Sequence, residues 1–205
     1  MKTISVACPA GSGLNFALNL LRPSFNYKIE FIAVGHERKD IKEEVPTLVI
    51  LRDPYDAIAS GAERYLRSSE HRYFANGVPL LEDDNMLSII DQIINEEARY
   101  VHFFTDIESL EHVKILTFDT LTKDPDLFLQ QVAKHFNIEE EIVKVPTPEI
   151  IEAVKNEGNA NRVPRQSSPG RVKINRYVHA LYPGNEFKSY EIYLLLKEKV
   201  DKGLI

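Results

Sequence analysis

A chain of 205 residues, 43% hydrophobic and 27% charged, has the size and balance of one folded domain spanning residues 1–205, which excludes a disordered or fibrous protein. Acidic residues outnumber basic ones, 31 to 25, for a net charge of −6. That excludes the broad basic footprint of nucleic-acid binding and leaves room for a local pocket for one small anion. The single cysteine, Cys8, excludes an intrachain disulfide and a cysteine metal cluster, and fits a reducing, cytoplasmic setting. No apolar run reaches membrane-spanning length. Lys2 and the apolar stretch after it have the start of a signal peptide. Pro9, Gly11, Gly13, Asn15 and Asn19 interrupt that stretch and no small-x-small cleavage site follows, so it reads as a strand, a turn and a helix.

In chain order, residues 3–7 predict a short buried strand, Gly11-Ser12-Gly13 a turn, and residues 14–21 a helix stopped by Pro23. Residues 28–34 and 47–51 are strand-like. Asp53-Pro54 supplies an N-cap and a first-turn proline for a helix to about residue 67. An amphipathic helix covers 84–104 and a strand 113–118. Asp124-Pro125 opens a helix to about residue 136, with Leu127, Phe128, Val132 and Phe136 at helical spacing. Thr147-Pro148 opens another by the same logic. Residues 156–176, rich in Gly, Asn, Ser, Pro and Arg, predict a long loop, and a last helix covers 186–200. Strands alternating with helices define an α/β fold: a single domain with a mainly parallel sheet flanked by helices.

Two segments carry candidate chemistry. The first strand ends in Cys8-Pro9-Ala10-Gly11-Ser12-Gly13-Leu14-Asn15-Phe16. A glycine-containing turn between a buried strand and a helix presents backbone N–H groups and a helix dipole to a phosphate, and Ser12 and Asn15 add side-chain donors. A tight turn that binds nothing has the same sequence. No Gly-Lys-Ser/Thr is present, which argues against a common ATP or GTP hydrolase. The second segment is Val49-Ile50-Leu51-Arg52-Asp53-Pro54-Tyr55-Asp56-Ala57-Ile58-Ala59-Ser60. Arg52 stands at the carboxyl end of a strand, where open α/β sheets bind ligands, and its guanidinium can grip a phosphate with two parallel bonds. Ser60 lies two turns into the next helix among Ala57, Ala59, Gly61 and Ala62. The alternative is an Arg52 salt bridge to Asp53 or Asp56, with small residues packing helix on sheet.

In this order the elements resemble the 3′-phosphoadenosine 5′-phosphosulfate (PAPS)-dependent sulfotransferases. That family has a proline-containing phosphosulfate loop after the first strand, then a strand-end Arg and a Ser eight positions later that hold the 3′-phosphate. Arg52 and Ser60 match that spacing. A late Arg, a Gly five residues on and a Lys three further are matched by Arg165, Gly170 and Lys173. Thr117-Phe118-Asp119-Thr120-Leu121 followed by Asp124-Pro125 resembles the family's segment between these motifs. The resemblance runs from residue 4 to about residue 173.

The resemblance implies a P-loop-like mononucleotide-binding architecture and in-line transfer of a sulfuryl group from PAPS to a hydroxyl or amine, releasing adenosine 3′,5′-bisphosphate (PAP). It places the phosphosulfate over Gly11, Ser12, Gly13, Leu14 and Asn15. The 3′-phosphate falls to Arg52, Ser60 and Arg165, with donors near Gly170, and Phe118 lies against the adenine. His36, after the second strand, matches the family's general base, since imidazole titrates in the useful range. A histidine bonded to a backbone carbonyl is the structural alternative. The family's loop lysine is absent: Ala10 and Gly11 stand there, so Arg38, Lys39, Arg171 and Lys173 are the remaining cations for the leaving group. No metal is implied. The acceptor, a small molecule or glycan, is expected near His36 beneath residues 65–81, which carry Arg67, Arg72, Tyr73 and Phe74. The alternatives are a PAP- or nucleotide-binding protein without efficient turnover, a kinase-like phosphoryl transferase, and an interaction protein on the same scaffold.

Overall fold

The computed structural model describes residues 1–9, 13–69, 74–75, 78–79, 83–143, 148, 169–185 and 187–205. The chain runs β1 (Lys2–Ala7), α1 (Leu14–Ser24), β2 (Ile29–Ala33), β3 (Thr47–Leu51), α2 (Pro54–Ser69), β4 (Phe74–Ala75), β5 (Val78–Pro79), α3 (Asp83–Phe104), β6 (Val113–Thr117), α4 (Phe118–Lys123), α5 (Pro125–Phe136), α6 (Pro169–Leu181) and α7 (Lys188–Asp201). Four strands form one all-parallel sheet in the order β2-β1-β3-β6. β4 and β5 pair antiparallel with each other.

Strand β3 explains the layering. All five of its residues, Thr47 to Leu51, are buried, because a central parallel strand is covered on both faces. Successive side chains alternate between faces. Leu48 and Ile50 pack with Leu18 and Leu21 of α1 and Phe128 and Val132 of α5. Val49 and Leu51 pack with Tyr100, Phe103 and Phe104 of α3 and Leu196 of α7. A third cluster joins α2, α3 and α6 through Ile58, Ala62, Ile89, Ile93, Ile174 and Val178. Each fully buried aliphatic or aromatic side chain in these layers contributes about 1.5–3 kcal/mol. The domain is therefore α/β, with helices covering both sheet faces.

The expected caps hold. Asp53 Oδ1 accepts from the Tyr55 amide at 2.9 Å, and Asp124 Oδ1 from the Leu127 amide at 3.0 Å. Three boundaries differ from expectation. Helix α1 passes through Pro23 to Ser24, since a proline one residue from a helix end removes a single bond. It stops where Asn26 and Tyr27 turn left-handed, with φ of 48° and 57°. Strand β6 ends at Thr117, whose hydroxyl accepts from the Thr120 amide at 3.1 Å and so caps α4 from Phe118 onward. The loop expected over residues 156–176 is overturned from Pro169, where α6 begins. Its buried stripe, Gly170, Ile174 and Val178, is only three residues wide at four-residue spacing. The polar residues between them mask the helical period. The helix expected at Thr147-Pro148 lies outside the described residues apart from Pro148. So do residues 149–168, the start of the expected loop.

Candidate functional site

Strand β1 lies between β2 and β3, so the chain moves to opposite sides of β1 in its first two crossovers. That reversal opens a crevice at the carboxyl ends of β1 and β3, the usual ligand position of open parallel sheets. The turn after β1, the Arg52 segment and Phe118 after β6 all arrive there.

Gly13 is the N-cap of α1, with φ 90°. A Cβ there would lie 2.3 Å from Cε2 of Phe118, so glycine is required by conformation and by space. The first turn of α1 has no side-chain cap and no acidic residue. Its leading amides, from Leu14 and Asn15, have no intrahelical acceptor and point out of the helix start, as an anion site needs. Leu14 is half-buried and Asn15 exposed. Gly11 and Ser12 lie outside the described residues.

Arg52 leaves the end of β3 with its side chain 12% exposed. Its guanidinium carbon sits 4.4 Å from the centre of the Phe118 ring, a cation–π contact. Nη2 lies 3.7 Å from Asp56 Oδ2. Its carbonyl accepts from the Tyr100 hydroxyl at 2.7 Å, which ties the strand end to α3. Burial pushes the Arg52 pKa down, and the positive charge of Arg171 adds to this, yet a guanidinium stays charged at neutral pH. Asp56 and Ser60 follow at four-residue intervals along α2, on one face of the helix, and Ser60 is buried.

Arg171 is drawn to the same region. Its Nε lies 3.1 Å from Glu63 Oε2, and both side chains are largely buried. The charge of Arg171 acts on Arg52, so two guanidiniums share this region, each near a carboxylate of α2. Gly170 is buried at the start of α6. Lys173 flanks the buried stripe of α6 on the side opposite Arg171, because two residues turn the helix by about 200°. Helical geometry thus separates two residues that were expected to share a loop. Arg165 lies outside the described residues. Phe118, expected against an adenine, has Arg52 over its ring and Gly13 against its edge, and packs partly into the core.

His36 follows β2, half-buried, with Nδ1 2.9 Å from the Cys8 carbonyl. A carbonyl only accepts, so Nδ1 carries the proton and Nε2 of the neutral ring keeps its lone pair. The carbonyl-bonded geometry and the base role are thus compatible: the bond selects the tautomer a base requires. The surrounding turn is firmly held. Asp40 Oδ2 accepts from the Glu37 amide at 3.1 Å, and a Cβ on Gly35 would come within 1.8 Å of that oxygen. Arg38 donates to the carbonyls of Thr105 and Asp106 beyond the end of α3. Lys39 pairs with Glu37 at 2.5 Å. Arg38 is thus engaged by backbone carbonyls, while Lys39 and Glu37 form an exposed pair at the surface.

The sequence reading missed Tyr100, Glu63 and the pair Gln92–Glu96. The last two left a signal, since both interrupt the apolar stripe Ile89, Ile93, Tyr100 and Phe103 of α3 at buried positions. Arg67, Arg72, Tyr73 and Phe74 have side chains outside the described residues. Among the described residues, no group of three or more His, Cys, Asp or Glu side chains is placed to hold a metal ion. No described helix is long and apolar enough to cross a membrane. No protein-family model matches the chain, and no curated protein matches its sequence.

Proposed function

We propose that this domain binds PAPS and transfers its sulfuryl group to a hydroxyl or amine acceptor. The observation that carries the reading is the contact chain Gly13–Phe118–Arg52. It gathers a helix-start anion site, an aromatic ring and a buried guanidinium at the switch point of a parallel sheet. The sulfotransferase-like, P-loop-like architecture belongs to this reading, supported by the eight-residue spacing of Arg52, at the end of β3, and Ser60, buried in α2.

In this reading the 5′-phosphosulfate lies at the start of α1 and the 3′-phosphate beside Arg52 and Ser60. Arg171 turns part of its donor set from Glu63 to that phosphate, and the adenine lies beside the exposed part of Phe118. The acceptor oxygen or nitrogen attacks sulfur in line. Its proton passes to His36 Nε2, a new bond to sulfur forms, and the sulfur–oxygen bond to the 5′-phosphate breaks to release PAP. Positioning and fixed charge supply most of the acceleration. A PAP-binding domain with little turnover is the second reading. It is favoured by the absent loop lysine.

Turnover of PAPS in an acceptor screen separates the two. Replacing a general base costs about 10²–10⁴-fold in rate. His36→Asn should therefore lose activity on that scale while its melting temperature still rises with PAP. Full turnover by His36→Asn would remove the base assignment.

A further inference from the structure

Helix α3 is apolar on two faces. Ile89, Ile93, Tyr100 and Phe103 are buried against α2 and the sheet. The opposite face carries Leu87, Ile90, Ile94, Ala98 and Val101, which fall within an arc of about 80° at 3.6 residues per turn. Leu87 is 64% exposed and Ile94 48%. Ala98 is exposed, and Ile90 and Val101 are half-buried. Single exposed apolar residues need no explanation, but a continuous stripe marks a surface that is covered. A helix that is apolar all round is a buried helix.

The spacing says what covers it. Along the stripe the intervals are three, four, four and three residues, the same in either direction. A second α3 laid antiparallel about Ile94 therefore meets the first in register. Ile94 falls against its own copy, Ile90 against the copy's Ala98, and Leu87 against the copy's Val101. A two-fold contact requires this self-complementarity, residue i on j and j on i. The charges agree with it. Asp91, before Ile94, is exposed, and so are Arg99 and His102 after it, on the same rim of the stripe. Antiparallel pairing brings Asp91 alongside the copy's Arg99 and His102, acid beside base. Glu97 lies on the other rim and is turned to α7, where its carboxylate accepts from the Ser189 amide at 3.2 Å.

We propose that the chain forms a two-fold homodimer through antiparallel α3 helices centred on Ile94. One helix on one helix is a small interface, so the dimer assembles at micromolar rather than nanomolar concentration.

The test is sedimentation velocity on the full chain up to about 1 mM, joined to thiol cross-linking. The wild type should pass from monomer to dimer as concentration rises. Ile94→Asp sets two carboxylates against each other at the two-fold axis and should raise the midpoint concentration at least about tenfold. Asp91→Lys leaves the apolar stripe whole and should raise it about fivefold. Both positions are exposed, so the variants should keep the wild-type melting temperature. Paired helix axes lie about 8–10 Å apart, so a bismaleimide of about that reach should join Ile94→Cys to itself. Leu87→Cys should stay unjoined, since its two copies stand about 21 Å apart along the axes. Mixing it with Val101→Cys should restore the cross-link. The native Cys8 is buried and gives no background. A monomer at every concentration overturns the proposal, and so does a dimer that persists unweakened in Ile94→Asp. Self-joining of Leu87→Cys as fast as Ile94→Cys overturns the antiparallel register.

Discussion

Replacing Gly13 by alanine tests the junction on which the site depends. Two costs combine there. A left-handed φ of 90° carries about 1–2 kcal/mol for a residue with a Cβ. The new methyl would stand 2.3 Å from Cε2 and 2.7 Å from Cδ2 of Phe118, so the ring must move, an overpacking cost of about 1–3 kcal/mol. The sum is about 2–5 kcal/mol, or roughly 10 °C in melting temperature at mid-range for a chain of this size. Gly203→Ala is the internal control, with a left-handed φ of 67° and nothing within 4 Å of the added carbon. It carries the backbone cost alone. Thermal and urea melts followed by circular dichroism should place Gly13→Ala well below Gly203→Ala. Because displacing Phe118 also removes the surface beneath Arg52, Gly13→Ala should lose its response to PAP as well. Equal melting temperatures for the two variants would refute the close packing of Gly13 on Phe118.

Tyr100→Phe removes the bond to the Arg52 carbonyl, so stability should fall by about 1 kcal/mol, a shift of about 2–4 °C, and PAP affinity should fall with it. Unchanged PAP affinity would show that Tyr100 does not help to set Arg52. Burial raises the Glu96 pKa above its ordinary 4.5, so just above pH 4.5 the folded chain holds a proton that the unfolded chain has released. Stability from this group is full below pH 4.5 and declines as pH rises through the folded value. The difference in urea midpoint between wild type and Glu96→Gln should therefore shift against the wild type across that window. A pH-independent difference would contradict the raised value.

The sheet was legible because it obeys local rules. β1, β2, β3 and β6 are apolar runs bounded by turn residues, and Asp53-Pro54 and Asp124-Pro125 carry their caps in sequence. The strand-end place of Arg52 and the place of Ser60 two turns into the next helix were legible too, because Asp53-Pro54 marks the boundary between β3 and α2. Helix α6 escaped notice because its buried face is three residues wide and one of them is Gly170. The engagement of Arg171 by Glu63, 108 positions away, is a tertiary fact with no local trace. The same holds for Arg38 and the carbonyls beyond α3. The seat of Phe118 beneath Arg52 depends on the register of β3 against β6, which pairs Leu51 with Thr117 and so brings the next residues, Arg52 and Phe118, side by side.

The most direct measurement is calorimetric titration of PAP and ADP into wild type, Arg52→Lys and Arg52→Ala at fixed salt. These ligands differ in where the second phosphate sits, so their ratio of affinities reports a 3′-phosphate site. The account predicts preference for PAP in the wild type, a weaker preference in Arg52→Lys because an ammonium lacks the guanidinium fork, and none in Arg52→Ala. Equal binding of PAP and ADP by the wild type, or a PAP preference that persists in Arg52→Ala, would contradict it.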